Sequence, residues 1–369
     1  MSDASPPTAL ERALATVVDP ELRRPMLELG MLKDLRVEGS VASIRVVLTT
    51  PACPLKDQIR SSLEAAVIGT VPGVASVEIT WDSNVTSTRG LPGRQEIAGV
   101  RNVLAISAGK GGVGKTTVSV NTAIALSLTG ARVGLLDADV YGPNVPIMMG
   151  ITAQPEPGAS NRISPLSAYG IKVMSFGTIL KPGQPVIWRG PMLAKGLREF
   201  LYEVEWGELD YLVVDLPPGT GDVQLSLAQS VPMTGAVIVT TPQDVSLADV
   251  SRGIEMFAQV KVPVLGIVEN MSGFVCAHCG ETTDIFGSGG GRELATKYDL
   301  PFLGAIPLDP RIRLGGGDGQ PLMAAAPDST VGGVFREVAA HIAGRVSQEN
   351  FASTAGPVMP SGPRIPLRP

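Results

Sequence analysis

Residues Gly109-Lys110-Gly111-Gly112-Val113-Gly114-Lys115-Thr116-Thr117 set glycines, lysines and threonines in one short turn. Backbone N–H groups can close around phosphate oxygens only where no Cβ blocks the turn or the approach. The spacing G-x-x-x-x-G-K-T is therefore that of a phosphate-binding loop. Lys115 is placed to reach the β and γ phosphates. The Thr116 hydroxyl can ligate Mg²⁺, which takes its remaining ligands from waters and nucleotide oxygens. Lys110 is not needed for any of this. A side chain at the second position points away from the phosphates its own backbone cradles, so its natural target lies outside its own subunit. A cation delivered there by a partner acts as an arginine finger does; the alternative is a solvated surface lysine.

Carboxylates at strand ends supply the remaining chemistry. Tyr211-Leu212-Val213-Val214-Asp215 is an apolar strand ending in an acid, the form of a Walker B element whose Asp holds the Mg²⁺ shell. Pro217-Pro218-Gly219-Thr220-Gly221-Asp222 follows, and Gly219 after a rigid Pro pair suits a hinge that brings an N–H to the γ-phosphate, although Pro-Gly is also a turn signal. Leu135-Leu136-Asp137-Ala138-Asp139 ends with acids at period-2 spacing, which places both on one side of an extended segment. The whole chain has 2 histidines, His278 and His341, so histidine acid–base chemistry has little room. Base choice is also readable. Guanine-specific loops use N-K-x-D, whereas Asn270 is followed by Met271-Ser272-Gly273, which favours ATP and makes Asn270 a candidate adenine contact.

Cys276-Ala277-His278-Cys279 is a C-x-x-C among 3 cysteines in total, the third being Cys53. Two thiolates can share a metal centre but not complete one, because zinc and [4Fe–4S] sites take four ligands. A two-fold dimer supplies the missing pair, and the dimer suggested by Lys110 can be the same object. Three chemistries fit: a [4Fe–4S] cluster bridging two subunits, a zinc ion, or a redox dithiol. Redox pairs sit at helix starts, and here Gly287-Ser288-Gly289-Gly290-Gly291 reads as flexible flanking sequence.

Positioning these groups requires a sheet. Apolar runs over 103–107, 133–136, 171–176, 211–214, 236–240, 264–268 and 302–306 alternate with helical stretches, closing with a helix over 331–346. Such runs predict an α/β fold, a mostly parallel sheet flanked by helices. Ligands then sit beyond the carboxyl ends of strands, where the loop at Gly109 and the acids at Asp137 and Asp215 all fall. Ahead of this, residues 1–81 read as a small α+β domain: a helix over 10–18, strands over 32–37 and 41–48, a helix over 53–70 and a strand over 74–81. Residues 82–99 read as a linker, 100–347 as the phosphate-loop domain and 348–369 as a disordered tail.

The net charge of −5 argues against a nucleic-acid surface. Mean hydropathy is +0.22, yet no apolar run reaches the roughly 20 residues that span a bilayer. With no basic, apolar leader and no basic amphipathic tail, the expectation is a cytoplasmic protein that engages neither membrane nor nucleic acid.

The loop with its extra lysine resembles the deviant Walker A signature of the dimeric ATPases MinD, ParA and the nitrogenase iron protein. Together with Asp137-Ala138-Asp139-Val140-Tyr141-Gly142-Pro143-Asn144, the segment from Asp215 to Asp222, and Glu269-Asn270-Met271-Ser272-Gly273-Phe274 ahead of the C-x-x-C, it closely resembles the Mrp/ApbC iron-sulfur carrier ATPases over about residues 95–345. That resemblance implies a homodimer holding a labile [4Fe–4S] cluster on Cys276 and Cys279 and passing it to apo-proteins, with ATP binding and slow hydrolysis modulating exchange. It also implies that Asp139 orients the attacking water and that Lys110 acts across the dimer. A MinD/ParA-like positioning scaffold, or a zinc-bridged ATPase dimer, is the competing expectation. Ala277 stands where family members commonly have Pro. The first domain resembles SufT-like assembly domains through Asp19-Pro20-Glu21 and Thr49-Thr50-Pro51-Ala52-Cys53-Pro54. Cys53 at a helix start would have a lowered thiol pKa, giving it either a reactive or transient cluster-binding role, or none.

Overall fold

The computed structural model describes residues 8–87, 95–158, 162–179, 190–220, 224–225, 228–229, 231–276, 278–279 and 281–354. Gly221, Asp222, Ala277, Gly280 and parts of the segments read as linker and tail lie outside the described residues. The chain divides into two compact units, Met1–Thr86 and Ser87–Pro369.

In the first unit Thr8 starts helix α1 (Ala9–Leu14) through a reciprocal capping box, its Oγ1 accepting from Glu11 N at 3.1 Å while Glu11 Oε2 accepts from Thr8 N at 2.6 Å. Strand β1 (Leu32–Glu38) pairs antiparallel with β2 (Val41–Leu48), and β3 (Ser76–Ser83) pairs parallel with β2 after a crossover through α2 (Lys56–Val67). Period-2 patterning buries Ala42, Ile44, Val46 and Leu48 of β2 in one cluster with Leu10, Leu14, Ile59, Leu63 and Val67. Boundaries differ from the sequence reading. Helix α1 stops at Leu14, and Asp19 Oδ1 instead accepts from Glu21 N (3.0 Å) and Leu22 N (2.7 Å), a local turn that competes with helix. Helix α2 starts at Lys56 rather than Cys53, because Pro54 disfavours helical backbone at the residue before it. Strand β3 runs to Ser83, into the segment read as linker.

The second unit is the α/β layer structure. Its elements are β4 (Val103–Ala108), α3 (Lys115–Leu128), β5 (Val133–Asp137), α4 (Val145–Met148), β6 (Leu166–Ala168), β7 (Ile171–Ser175), α5 (Gly190–Tyr202), β8 (Tyr211–Asp215), β9 (Gly235–Thr240), α6 (Asp244–Gln259), β10 (Val264–Val275), β11 (Thr282–Thr283), α7 (Gly290–Lys297), β12 (Phe302–Leu308), α8 (Pro310–Gly317), α9 (Leu322–Ala325) and α10 (Thr330–Thr354). Among the described residues the sheet has nine strands in the order β11-β10-β9-β4-β8-β5-β7-β6, with β12 beside β10. Only the short β6 and β11 run antiparallel to their neighbours. Strand β4, wholly buried, lies between β8 and β9. The chain leaves β4 toward β5 on one side and later returns to β9 on the other, so the loop after β4 sits at the topological switch point. No described helix is long and apolar enough to cross a membrane.

Helix α10 continues to Thr354, beyond the helix read over 331–346 and into the segment read as tail. Polar anchoring explains the extension: Asn350 is 2% exposed and its Nδ2 donates to Asn102 Oδ1 at 3.0 Å, while Asn102 Nδ2 donates to the Asp210 carbonyl at 3.2 Å. Asn350→Ala removes a buried hydrogen bond worth about 1 kcal/mol. The expected result is a lower denaturation midpoint of the second unit together with faster amide exchange over the last turns of α10; an unchanged exchange pattern there would show that apolar packing alone holds that end.

Candidate functional site

Strand β4 delivers the chain into the loop at Gly109, and α3 begins at Lys115 with Gly114 as its N-cap, at φ +82° and with no side-chain cap. The first N–H groups of α3 are thereby left to face an anion. Neighbours as well as phosphate demand two of the glycines. A Cβ on Gly109 would lie 2.6 Å from the Asp249 carbonyl carbon in α6, and one on Gly114 would lie 2.2 Å from Asn270 Nδ2. Asn270, 5% exposed, donates from Nδ2 to the Val113 carbonyl at 2.8 Å. An amide has a second N–H and a carbonyl oxygen, so this bond leaves capacity toward a base.

Lys115 is 6% exposed. Its Nζ lies 2.8 Å from Asp215 Oδ1 and 3.8 Å from Asp139 Oδ2. Asp215 Oδ2 accepts from Thr116 Oγ1 at 2.8 Å, and its Oδ1 also accepts from Ser119 Oγ at 2.6 Å. Thr116 and Asp215 thus present adjacent hard oxygens, a donor set that suits Mg²⁺. Ser119 was not singled out from the sequence. It lies one helical turn beyond Lys115 and Thr116, at i+4 and i+3, which put it on their face of α3. Gly219 adopts φ +101° and donates its N–H to the Ala108 carbonyl at 3.0 Å, so the backbone after β8 reaches the root of the loop.

Asp137 and Asp139 both approach Lys115, but not by the pleat expected from their spacing. Strand β5 ends at Asp137, and Asp137 Oδ1 accepts the N–H of Asp139 at 3.1 Å, turning the chain. Asp137 Oδ2 accepts from Ser175 Oγ (2.8 Å) and Val145 N (3.2 Å). Asp137 is therefore a buried organiser, while Asp139, 8% exposed, takes the position nearer the site mouth. Burial, then the Asp215 carboxylate, push the Asp137 carboxyl up to about 8 against the pull of Ser175 and Lys115. Burial also raises Asp139.

Lys110 is half-buried and lines a cavity of about 230 Å³ with Gly111, Gly112, Val113, Thr241, Gln243, Met271 and Phe286. Met271 of this lining lies on the strand that leads to the cysteines. Strand β10 was read as ending at Val268 but runs to Val275, where Phe274 and Val275 pair with Thr283 and Thr282 of β11. Cys276 N donates to the Glu281 carbonyl at 3.0 Å. The C-x-x-C is consequently the tip of a β-hairpin, with Cys276 half-exposed and Cys279 exposed. Backbone N–H groups of Cys279 and His278, and the Cys279 thiol, aim at the Cys276 sulfur and hold its thiol below the usual range. A thiolate-favouring tip suits a metal or cluster. Among the described residues no three His, Cys, Asp or Glu side chains gather into a metal site.

Cys53 departs from expectation. Lying ahead of α2 and partly buried, its thiol is pushed up to about 11 by burial, with Glu21 and Asp19 adding to the rise and the Leu55 backbone opposing it. The helix-start lowering is overcome by desolvation. Burial also pushes Glu21 up to about 7, with Asp19 adding to it.

A glycine loop rooted at the switch point of a parallel sheet, its lysine and threonine closed on a strand-end aspartate, defines a P-loop NTPase. A model for the NUBPL iron-transfer P-loop NTPases matches residues 99–343, and one for iron-sulfur cluster assembly proteins matches 7–81. An iron-sulfur cluster carrier protein of Synechocystis is 50% identical, the match covering 92% of this chain and 97% of that one. Proteins of the same name from Deinococcus radiodurans and Escherichia coli are 49% and 38% identical, covering 92% and 94% of this chain and 95% of each relative. The chain belongs to the iron-sulfur cluster carrier family of iron-transfer P-loop NTPases. Among solved structures, a nucleotide-binding protein from Archaeoglobus fulgidus in complex with ADP is 41% identical at TM-score 0.55, covering 61% of this chain and 88% of that one. The Pyrococcus furiosus cell division ATPase MinD shares the fold at 23% identity and TM-score 0.50, covering 65% of this chain and 98% of its own.

The raised Asp137 has a pH signature. Its folded-state proton affinity exceeds that of the unfolded chain, so stability falls as pH rises between about 4 and 8. Asp137→Asn should flatten that fall, read from denaturation midpoints of the nucleotide-free protein at pH 5 and pH 8. Parallel profiles for wild type and variant would place the proton elsewhere.

Proposed function

We propose that the chain works as a homodimeric, slowly hydrolysing ATPase that holds a [4Fe–4S] cluster between two subunits and delivers it to apo-proteins. The observation that carries this reading is strand β10, which contacts the phosphate loop through Asn270 and ends in the exposed C-x-x-C hairpin. One strand serves both the nucleotide and the thiols. Cys276 and Cys279 from each of two subunits give four thiolates, the usual complement of such a cluster. Iron held on an exposed tip would be open to a recipient's own thiolates, each forming one Fe–S bond as one bond to Cys276 or Cys279 breaks and that thiolate is released. The names of the relatives support the carrier reading.

At the nucleotide, the backbone from Gly109 to Thr117 cradles phosphate and Lys115 pairs with the β and γ oxygens. Mg²⁺ on Thr116 and Asp215 would offset phosphate charge. Asp139, beside Lys115 and near the mouth, orients the attacking water, whose oxygen bonds to Pγ as the Pγ–O bond to ADP breaks. Gly219 gives up its bond to the Ala108 carbonyl to turn its N–H toward the γ-phosphate, and Asn270 contacts adenine. Lys110, displayed on the cavity wall, reaches the nucleotide of the partner subunit. Cys53, with a thiol held protonated in its partly buried setting, serves as a transient acceptor at most.

Anaerobic reconstitution should load about four Fe per dimer with broad visible absorption, and Cys276→Ala should abolish it; normal iron binding by Cys276→Ala and Cys279→Ala would overturn the assignment. Lys110→Ala should bind ATP within about two-fold of wild type yet lose at least about ten-fold in hydrolysis. Unchanged turnover would remove the lysine's action across the dimer.

A further inference from the structure

Between Asn270 and Phe274 strand β10 leaves its register with β12: Asn270 faces Ile306 and Phe274 faces Leu308, so the chain bulges. Met271 at φ +59° and Gly273 at φ +69° form this bulge. Beyond it Phe274 is the one β10 residue still in register with β12, so the hairpin needs a further hold.

Glu269 supplies it. Its side chain is fully buried. Its Oε1 accepts from Ser272 Oγ at 2.5 Å and Gly289 N at 2.9 Å, and its Oε2 accepts from Gly291 N at 2.5 Å. The carboxylate thus ties the outgoing leg of the hairpin to the start of α7. The glycine-rich return is packed tight. A Cβ on Gly291 would lie 3.0 Å from Glu269 Cβ, and one on Gly290 would lie 2.6 Å from Leu247 Cδ1. The next residue, Asn270, is bonded to the phosphate loop at Val113. Adjacent side chains therefore grip the two functional elements, one the hairpin and the other the loop.

We propose that Glu269 is a positioning residue that fixes the cysteine hairpin to the phosphate loop, so that nucleotide bound at Lys115 changes the state of the Cys276 and Cys279 thiols. This rests on the reading of the chain as a nucleotide-dependent carrier and names the residue through which the dependence runs. Replacing the carboxylate by an amide leaves one oxygen for donors that had two and sets an N–H₂ against a backbone N–H. The loop and its lysine are untouched.

The test uses the full-length, iron-free protein and follows alkylation of each thiol by iodoacetamide, with Cys53 as internal reference. In wild type, saturating Mg²⁺ with a non-hydrolysable ATP analogue should change the rates at Cys276 and Cys279 by about five-fold or more. Glu269→Gln should bind the analogue within about three-fold of wild type while the change shrinks below about two-fold. Should that variant fail to fold, Ser272→Ala, which removes one donor to the carboxylate, should at least halve the response. An undiminished response in the variant overturns the proposal. So does a wild type with no response, or parallel loss of analogue binding and response, which marks a structural role only. Iron loading of the same preparations separates the two readings: a thiol response without cluster uptake overturns the carrier function alone, and cluster uptake without a thiol response overturns the role of Glu269 alone.

Discussion

The ammonium of Lys115 sits almost wholly out of water beside the carboxylates of Asp215 and Asp139, with Asp137 just behind them. Buried charge of one sign in excess is costly, and the carboxyl edge of the sheet is arranged around that cost. Ser119, Thr116, Ser175 and the backbone of Asp139 and Val145 each give a hydrogen bond to one of these acids. The proton affinity of Asp137 rises, which relieves part of the excess negative charge.

Much of this was legible in the residues. The phosphate loop, the strand-end acids and the alternation of apolar runs are dictated by local rules, and each lands where the topology needs it. What sequence did not reveal is where polar side chains override periodicity. Asp19 closes a turn in the segment after α1 and Asp137 bends the chain after β5, both by accepting nearby N–H groups. Asn350 carries α10 into a stretch whose composition suggested disorder. Strands as short as β6 and β11 leave no periodic trace, and without β11 the cysteines read as a loop rather than a hairpin tip.

Glycine gave the most misleading signal. Gly287-Ser288-Gly289-Gly290-Gly291 has the composition of a flexible flank, yet Gly290 and Gly291 are small because Leu247 and Glu269 press against them. Glu269 itself was quoted only as part of a motif. Its burial cannot be inferred from spacing, because the donors that justify it, Gly289 and Gly291, come from a later turn of the chain. Cys53 shows the converse: a helix start suggested an acidic thiol, and desolvation reversed the sign.

The place of each element in the sheet has a further consequence. Strand β4 has strands on both sides, so opening it requires parting β8 and β9, whereas the cysteine tip extends from a two-residue strand at the sheet's margin. Opening free energies grade from the centre of a fold to its margins. The root of the nucleotide loop therefore belongs to the last part of this unit to come apart, and the thiols to one of the first. Within one sheet, the loop root and the cysteine tip thus differ in how readily their backbone opens.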